Sequence, residues 1–245
     1  MQMRVDKTLS QLQIATRSES KKLFAAGRVK INDEIIKNGS VKFNPERDLL
    51  SVDGEAVVYR EFQYFMLNKP AGCITATEDK KERTVMDFLP RERHRNLSPV
   101  GRLDKDTEGL LLITDDGALN HELLAPGKHV EKEYFARVSG KVTEEVTKRF
   151  AEGLEIGEKR PTAPAGLELR GTDGETVSEV LVTITEGKFH QIKRMFHAVG
   201  MEVLYLKRVR MGSLILDEDL EPGAYRLLTE EEINKLKTDS GKTEL

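Results

Sequence analysis

The sequence predicts an α+β protein: a small domain of two helices and a sheet, followed by a larger domain with a mostly antiparallel mixed sheet. Its 245 residues exceed the usual length of one domain without reaching two full-sized ones. Hydrophobic residues make up 38% of the chain, which is enough to form a sizeable core. The predicted strands and helices do not alternate regularly, and this disfavours a doubly wound parallel sheet.

The composition excludes several classes of protein. No run of about 18 apolar residues occurs, and the first twenty residues lack an apolar core and a cleavage site, so we expect neither membrane insertion nor export. Cys73 is the only cysteine, which excludes an intrachain disulfide and is typical of a cytoplasmic protein. His190 and His197 are seven residues apart with no third ligand nearby, so we expect no metal site.

The small domain is predicted to span residues 1–60. Leu9 and Leu12 recur on one helical face, Ser18 is placed to begin a second short helix, and Gly27 can end it. The stretches RVKINDEII and LLSVDGEAVV then alternate like strands around Asn-Asp and Asp-Gly turns. The predicted order is therefore helix, helix and small sheet.

Basic charge is concentrated at the start of this domain. Residues 1–45 hold nine Lys or Arg against four acidic residues, although the whole chain has a net charge of -3. Because Lys and Arg that neutralise phosphates supply most sequence-independent affinity for nucleic acid, we expect a polyanion partner here. A solvated charged face is the alternative. The expected phosphate contacts are Arg4, Arg17, Lys21, Lys22, Arg28 and Lys30.

The order of these elements, together with the phrase AGRVKINDEIIKNGSVKF, resembles the S4 domain. The S4 domain is a compact RNA-binding module, and the resemblance covers nearly all of residues 1–45. It implies that the basic residues of the second helix and its exit contact RNA.

The larger domain is predicted to span residues 61–236, with a frayed polar tail at 237–245. It begins with the apolar strand FQYFML, which meets Lys69-Pro70-Ala71-Gly72, where proline and glycine interrupt regular pairing. Further strands are predicted at about 110–114, 132–139, 179–185 and 202–216, and helices at about 84–89, 117–125, 143–152 and 190–199.

A charged loop leads into a buried strand in the stretch GRLDKDTEGLLLIT. A charged loop against a core strand is a candidate functional site. Arg102 and Asp104 are two residues apart, so in an extended backbone both side chains project from the same face. A guanidinium beside a carboxylate favours its ionised form, which suits a nucleophile or a base and excludes a general acid.

This loop has two other interpretations. Asp104, Asp106 and Glu108 match the opening of a calcium loop, but position twelve is Asp115 instead of Glu, and a strand follows instead of a helix. Alternatively, the acidic residues and Thr107 cap turns around a core strand, the interpretation that we favour for Asp106 and Glu108.

The same stretch, followed by DDGALNHELLAPGKHVEKEY, resembles the active-site region of the pseudouridine synthases. The stretches YFMLNKPAG, SEVLVTITEGKFHQIKRMFHAVG and LKRVRMGSLILDEDLEPGAYRLLTEEEI extend the resemblance across nearly the whole chain. They are nearest to the branch of the family that acts on small-subunit ribosomal RNA. The resemblance implies that Asp104 is the essential aspartate and that Tyr134 stacks against the target base. It also implies that Lys193, or alternatively Arg194, pairs with the aspartate and that Arg102 helps to position the flipped nucleotide.

The resemblance further implies cleavage of the N-glycosidic bond, rotation of the uracil and reattachment through carbon, with no cofactor. The implied partner is ribosomal RNA in an assembly intermediate of the small subunit, and the implied enzyme is a cytoplasmic monomer. On its strand, Tyr134 is equally well interpreted as a buried core residue. The remaining expected RNA contacts are Lys69, Gln191, Arg194, Lys207, Arg208 and Arg210, with Arg208 and Arg210 on one face of a strand and Lys207 on the other.

Two other functions compete with this one. The first is the same chemistry on large-subunit ribosomal RNA. The second is a non-enzymatic RNA-binding or ribosome-assembly protein, but such a relative is expected to have lost the aspartate, the tyrosine or the basic partner. The sequence retains all three, at Asp104, Tyr134 and Lys193.

Overall fold

The computed structural model describes residues 2–12, 14–45, 47–57, 62–90, 96–174 and 176–241. The chain divides into two units, Met1–Phe62 and Gln63–Leu245. The domain boundary that the sequence predicts, between residues 60 and 61, lies outside the described residues.

The first unit contains the two predicted helices and a small sheet. The second helix begins at Arg17, before the predicted Ser18, because Thr16 and Glu19 form a capping box in which each side chain accepts the other's backbone N–H. The sheet has the strand order β3-β2-β5-β6, and β1 pairs with β4. The elements are β1 Met3–Arg4, α1 Val5–Gln11, α2 Arg17–Ala25, β2 Val29–Ile31, β3 Glu34–Ile35, β4 Lys42–Phe43, β5 Leu50–Val52 and β6 Glu55–Ala56.

The second unit is built on one large sheet with the order β11-β12-β10-β13-β9-β7-β15. In the described residues every neighbouring pair of this sheet is antiparallel except β13 and β9, so the predicted mostly antiparallel mixed sheet is confirmed. Its elements are β7 Tyr64–Lys69, β8 Ser98–Pro99, β9 Glu108–Thr114, α3 Gly117–Leu124, β10 Lys132–Ser139, α4 Glu144–Glu152, β11 Gly166–Asp173, β12 Val177–Ile184, α5 Gln191–Ala198, β13 Val203–Met211, β14 Leu214–Ile215, β15 Tyr225–Leu227 and α6 Glu230–Asp239.

The end of the chain differs from its prediction. Residues 237–239 were expected to belong to a frayed tail, but they complete helix α6. Thr229 and Glu232 form a capping box at its start, and Ile233 and Leu236 are buried on one face, so the helix is fixed at its start and along its length. Residues 242–245 lie outside the described part of the chain.

Helices α4 and α5 contribute to the core on one face of the large sheet. The rings of Phe150 in α4 and Phe196 in α5 have centroids 4.9 Å apart. Helix α5 also buries Ile192 and Met195 in this cluster, at the i, i+3, i+4 spacing of an amphipathic helix. This packing fixes the position of the first turn of α5, which carries Lys193.

Gly109, the second residue of β9, permits the one parallel pairing in the described sheet. Its φ is +98°, and a Cβ on this residue would lie 2.2 Å from the backbone oxygen of Arg208 in β13. Both the backbone angle and the close approach require glycine. The strand that follows Asp104 is therefore held directly against β13.

Replacing Gly109 by Ala is expected to lower the free energy of unfolding by about 3 to 5 kcal/mol, because the methyl group meets backbone that cannot move away. Urea denaturation measures the change. Gly117→Ala is the matched control, since a Cβ at this first residue of α3 meets nothing within 4 Å. We expect the control to stay within about 1 kcal/mol of the parent. Equal stabilities for the two variants would contradict this account.

Candidate active site

Asp104 lies in a loop whose backbone is fixed on both sides. Thr75 Oγ1 accepts a hydrogen bond from Leu103 N (3.1 Å) and donates one to Leu103 O (2.8 Å). Gly72 N donates to Lys105 O at 2.7 Å. The carboxylate of Asp104 itself remains 27% exposed. The loop therefore presents one partly accessible carboxylate from a rigid main chain, as a preorganised site requires.

Lys69 of β7 forms hydrogen bonds to the main chain of the same loop. Its fully buried ammonium donates to Thr107 O (2.8 Å), Asp104 O (3.0 Å) and Pro70 O (3.1 Å). Burial lowers the pKa of Lys69, and the surrounding acidic groups offset part of that effect. The expectation that Lys69 contacts RNA is wrong, because its charge is enclosed by main-chain carbonyls.

Lys193 forms the ion pair with the candidate nucleophile. Its Nζ lies 3.2 Å from Asp104 Oδ2 and 2.5 Å from Asp106 Oδ1. Burial alone would lower the pKa of Lys193, but its hydrogen bonds to Asp106 and Asp104 outweigh burial and raise it. Lys193 is therefore a stable cation at neutral pH.

Asp106 does more than cap a turn, which corrects the sequence interpretation. Its hydrogen bond from Lys193 is the main reason that the pKa of Asp106 is lowered. An ammonium group already joins the carboxylates of Asp104 and Asp106, which argues against the calcium interpretation of this loop. Glu108 accepts a hydrogen bond from Tyr205 Oη at 2.6 Å and thereby links β9 to β13.

Arg102 does not pair with Asp104, contrary to the expectation from their spacing. Leu103 is buried while Arg102 is exposed and Asp104 is partly exposed, as the alternation predicts. In the part of the chain that the structure describes, however, no ion pair joins Arg102 to Asp104, and the cation beside the carboxylate is Lys193.

His190 is a site residue that sequence reasoning missed. Its Nε2 lies 3.6 Å from Asp104 Oδ1, and it occupies the N-cap position of α5 with a left-handed backbone of φ 48° and ψ 37°. In the sequence His190 is a candidate only for metal binding, and no local pattern connects residue 190 with residue 104.

Tyr134 lies on β10 with its side chain 7% exposed, within the main core. Its partners across the sheet are Val182 and Arg208, and Arg208 in turn pairs with Gly109. Cross-strand partners lie on the same face of a sheet, so Tyr134 belongs to a row that runs through Gly109 to Lys69 of β7, which bonds the main chain of Asp104. This position is compatible with both interpretations of Tyr134, as a core residue and as a base-stacking residue.

Arg208 is buried, and its predicted contact with RNA phosphates is wrong. Only 1% of the residue is exposed, and its Nε donates to Leu110 O at 2.7 Å. Nearby Lys132 is also buried. Its burial, together with the positive charge of Arg208, lowers the pKa of Lys132 to about 8. Both cations are enclosed by the sheet.

Arg210 lies on the opposite face of β13 from Arg208, which corrects the predicted shared face. A register shift places Arg208 opposite Tyr134 but Arg210 opposite Glu133, because Val209 is an extra residue in β13. Arg210 forms ion pairs with Glu131 (3.0 Å) and Glu133 (3.6 Å). Lys207 is half-buried.

Gln191 and Arg194 secure the loop before α5. Gln191 is buried, accepts from Lys188 N at 2.8 Å and donates to Glu186 Oε1 at 2.9 Å, so its expected RNA contact is also wrong. Arg194 donates to Glu158 Oε1 at 2.7 Å and to Phe189 O at 3.0 Å. Lys193, and not its neighbour Arg194, is therefore the partner of Asp104.

The predicted phosphate contacts of the first unit fall into three groups. Arg4 and Arg28 are engaged in two-point ion pairs with Asp6 and Asp53, respectively. The predicted phosphate contacts in helix α2 are exposed, whereas Lys30 in β2 is half-buried. The exposed residues of α2 are Arg17, Lys21 and Lys22.

The two units match two known sequence families. Residues 3–49 match the S4 domain, and residues 63–198 match the RNA pseudouridylate synthase family. The fold and the match together define the class: the chain belongs to the RNA pseudouridylate synthase family. The predicted family resemblance is confirmed.

Individual relatives resemble the chain over nearly its full length. A protein named uncharacterized RNA pseudouridine synthase YtzG, from Bacillus subtilis (strain 168), is 46% identical, covering 96% of this chain and 98% of its own. Ribosomal small subunit pseudouridine synthase A of Escherichia coli (strain K12) is 41% identical, covering 94% and 98%. A crystal structure of a pseudouridylate synthase has a TM-score of 0.66 and 42% identity, covering 96% of this chain and 99% of that one.

Proposed function

We propose that this protein isomerises a uridine of small-subunit ribosomal RNA to pseudouridine, with Asp104 as the nucleophile. The observation that supports the role of Asp104 best is its carboxylate on a fixed loop, 3.2 Å from Lys193. A carboxylate that is paired with a cation on a fixed loop suits nucleophilic attack or proton removal. The choice of RNA rests on the Escherichia coli relative, whose name specifies the small ribosomal subunit.

The reaction requires the uridine to leave its base stack, because a stacked nucleotide cannot present its sugar carbon to the carboxylate. Asp104 then attacks the sugar or removes a proton next to its anomeric carbon, the N-glycosidic bond breaks, and the freed uracil rotates. When a ring carbon of the uracil bonds to the anomeric carbon, Asp104 is released, that ring carbon loses its proton, and the freed ring nitrogen gains one. Tyr134 is the proposed stacking surface for the flipped base, and Arg102, which is exposed beside the loop, helps to hold the nucleotide.

Lys193 has an electrostatic role in this proposal. Its ammonium pairs with the Asp104 carboxylate and orients it, and its second bond, to Asp106, fixes the position of the ammonium. The reaction needs no group donor or redox partner. Within the proposal, the enzyme is a cytoplasmic monomer that accepts an assembly intermediate of the small subunit.

The proposal is tested by mapping pseudouridines in ribosomal RNA from cells with and without the gene. Loss of one pseudouridine from the small-subunit RNA, and its restoration by the purified protein in vitro, is the expected result. A lost site in the large-subunit RNA would contradict the substrate but not the reaction. An unchanged map, with no pseudouridine formed in vitro, would contradict the reaction itself.

The exposed lysines of α2 are expected to supply part of the RNA affinity. Changing Lys21 and Lys22 together to Gln should weaken binding similarly for different RNAs and lower the slope of log affinity against log salt by about 1 for each lost phosphate contact. Filter binding at several salt concentrations measures both quantities. The control is Lys148→Gln with Lys235→Gln, two exposed helix lysines of the second unit, and an equal loss in this control would contradict a specific role for α2.

A further inference from the structure

Two stacked rings lie beside the candidate nucleophile. The centroids of Phe189 and His190 are 3.8 Å apart, and the rings are within 18° of parallel. His190 Nε2 lies 3.6 Å from Asp104 Oδ1, whereas Phe189 is 73% exposed. The pair therefore extends from the candidate site into the solvent.

The backbone beneath the rings is held firmly. Phe189 O accepts a hydrogen bond from Arg194 Nη1 at 3.0 Å, and His190 O accepts one from Arg194 N at 3.0 Å. The backbone N–H of Lys188 donates to the buried side chain of Gln191. The exposure of Phe189 is thus a property of a well-bonded segment and does not come from a loosely held loop.

The left-handed backbone of His190 creates the stack. In an extended segment, successive side chains would point to opposite sides. At φ 48° and ψ 37°, the chain turns so that the ring of His190 reaches Asp104 and the ring of Phe189 stacks on the ring of His190. Such backbone conformations are uncommon outside glycine and are concentrated at functional sites.

We propose that the exposed face of Phe189 binds a nucleobase next to the target uridine in the RNA chain. This inference rests on the proposed function, since extruding the uridine removes a stacking partner from its neighbours. An aromatic side chain replaces that partner for any base, because every base has a π-face. The ring separation of 3.8 Å is close to the rise of about 3.4 Å between stacked bases, so a base on Phe189 continues a column that begins with His190 beside Asp104.

The test compares Phe189→Ala, Phe189→Leu and Phe189→Trp, using a small-subunit ribosomal RNA transcript that contains the mapped target. For each variant, equilibrium binding gives Kd, and single-turnover reactions give the rate at saturation and the half-saturating enzyme concentration. Phe189→Ala is expected to raise Kd and the half-saturating concentration about 10-fold, as for the loss of one stacked base. Phe189→Leu should show the same increases as Phe189→Ala, and Phe189→Trp should bind as tightly as the parent protein. The control, Ile215→Ala, removes another largely exposed apolar side chain, from β14.

A second substrate identifies the partner of Phe189. Two transcripts are made, one with an abasic residue before the target uridine and one with an abasic residue after it. With one of these transcripts, the parent protein and Phe189→Ala should have the same Kd. The missing base and the missing aromatic ring then remove the same contact, so the second loss adds nothing to the first. The inference is overturned if Phe189→Ala binds normally, if Leu restores binding as well as Trp, or if neither abasic position abolishes the difference. A parent protein that binds this RNA without forming pseudouridine would refute the proposed function, while the Kd values would still test stacking.

Discussion

Replacing Asp104 by Asn is expected to abolish pseudouridine formation in a protein that remains folded. The amide keeps the shape of the side chain but cannot act as a nucleophile or as a base. We expect the single-turnover rate at saturating RNA to fall by at least about 10⁴-fold, as is typical for the loss of a covalent nucleophile. Tritium release from labelled uridine measures the rate, and circular dichroism confirms the fold.

The matched control is Asp106→Asn. Asp106 is the other carboxylate that bonds Lys193, so this variant makes the same charge change and also breaks an ion pair with Lys193. Because the side chain of Asp106 is largely exposed, its ion pair contributes little in water, and we expect a loss of no more than about tenfold. A folded Asp104→Asn protein with the activity of this control would refute the role of Asp104.

Local sequence pattern was sufficient for most elements of the fold. The apolar run that became β9 and the amphipathic spacing of α5 identified elements whose burial follows directly from their periodicity. The edge strand β11 gave no such signal, because most of its side chains are exposed and only Leu167 is buried. The last residues of helix α6 were assigned to a tail because a short, charged segment near the end of the chain resembles a frayed tail.

The site could be predicted only in part, because its contacts join distant segments. The motif around Asp104 is local, but its partners Lys193 and His190 belong to a helix and its cap more than 80 residues later. The resemblance supplied Lys193, and nothing in the pattern supplied His190. Charged residues are usually exposed, so Lys69 and Arg208 were assigned to RNA, whereas both are buried and donate to main-chain carbonyls.

One inserted residue shows why strand faces are hard to predict. Simple alternation places Arg208 and Arg210 on the same face of β13. The extra residue Val209 reverses this relation, so Arg210 meets Glu133 while Arg208 lies opposite Tyr134. A bulge depends on pairing with a neighbouring strand and is therefore not visible in the sequence of one strand alone.

Replacing Lys69 by Met is expected to damage both stability and catalysis. The buried ammonium donates hydrogen bonds to Asp104 O and Thr107 O, and Met provides no donor to replace it. Each buried polar group left unpaired costs about 1 to 3 kcal/mol. Part of this cost is offset because the variant no longer buries a charged ammonium. We therefore expect the free energy of unfolding to fall by about 2 to 4 kcal/mol. Urea denaturation measures this loss.

The catalytic effect of Lys69→Met should exceed what partial unfolding explains. Because Lys69 holds the backbone of Asp104, its loss allows the carboxylate to shift, and a displacement of about 1 Å can reduce a rate about 10²-fold. The rate at saturating RNA is compared at a temperature where the variant is fully folded. Lys105→Met provides the control, since it removes an exposed ammonium of the same loop, whose ion pair with Glu82 contributes at most about 1 kcal/mol. If Lys69→Met and Lys105→Met have equal stability and equal rates, the main-chain contacts of Lys69 do not position Asp104.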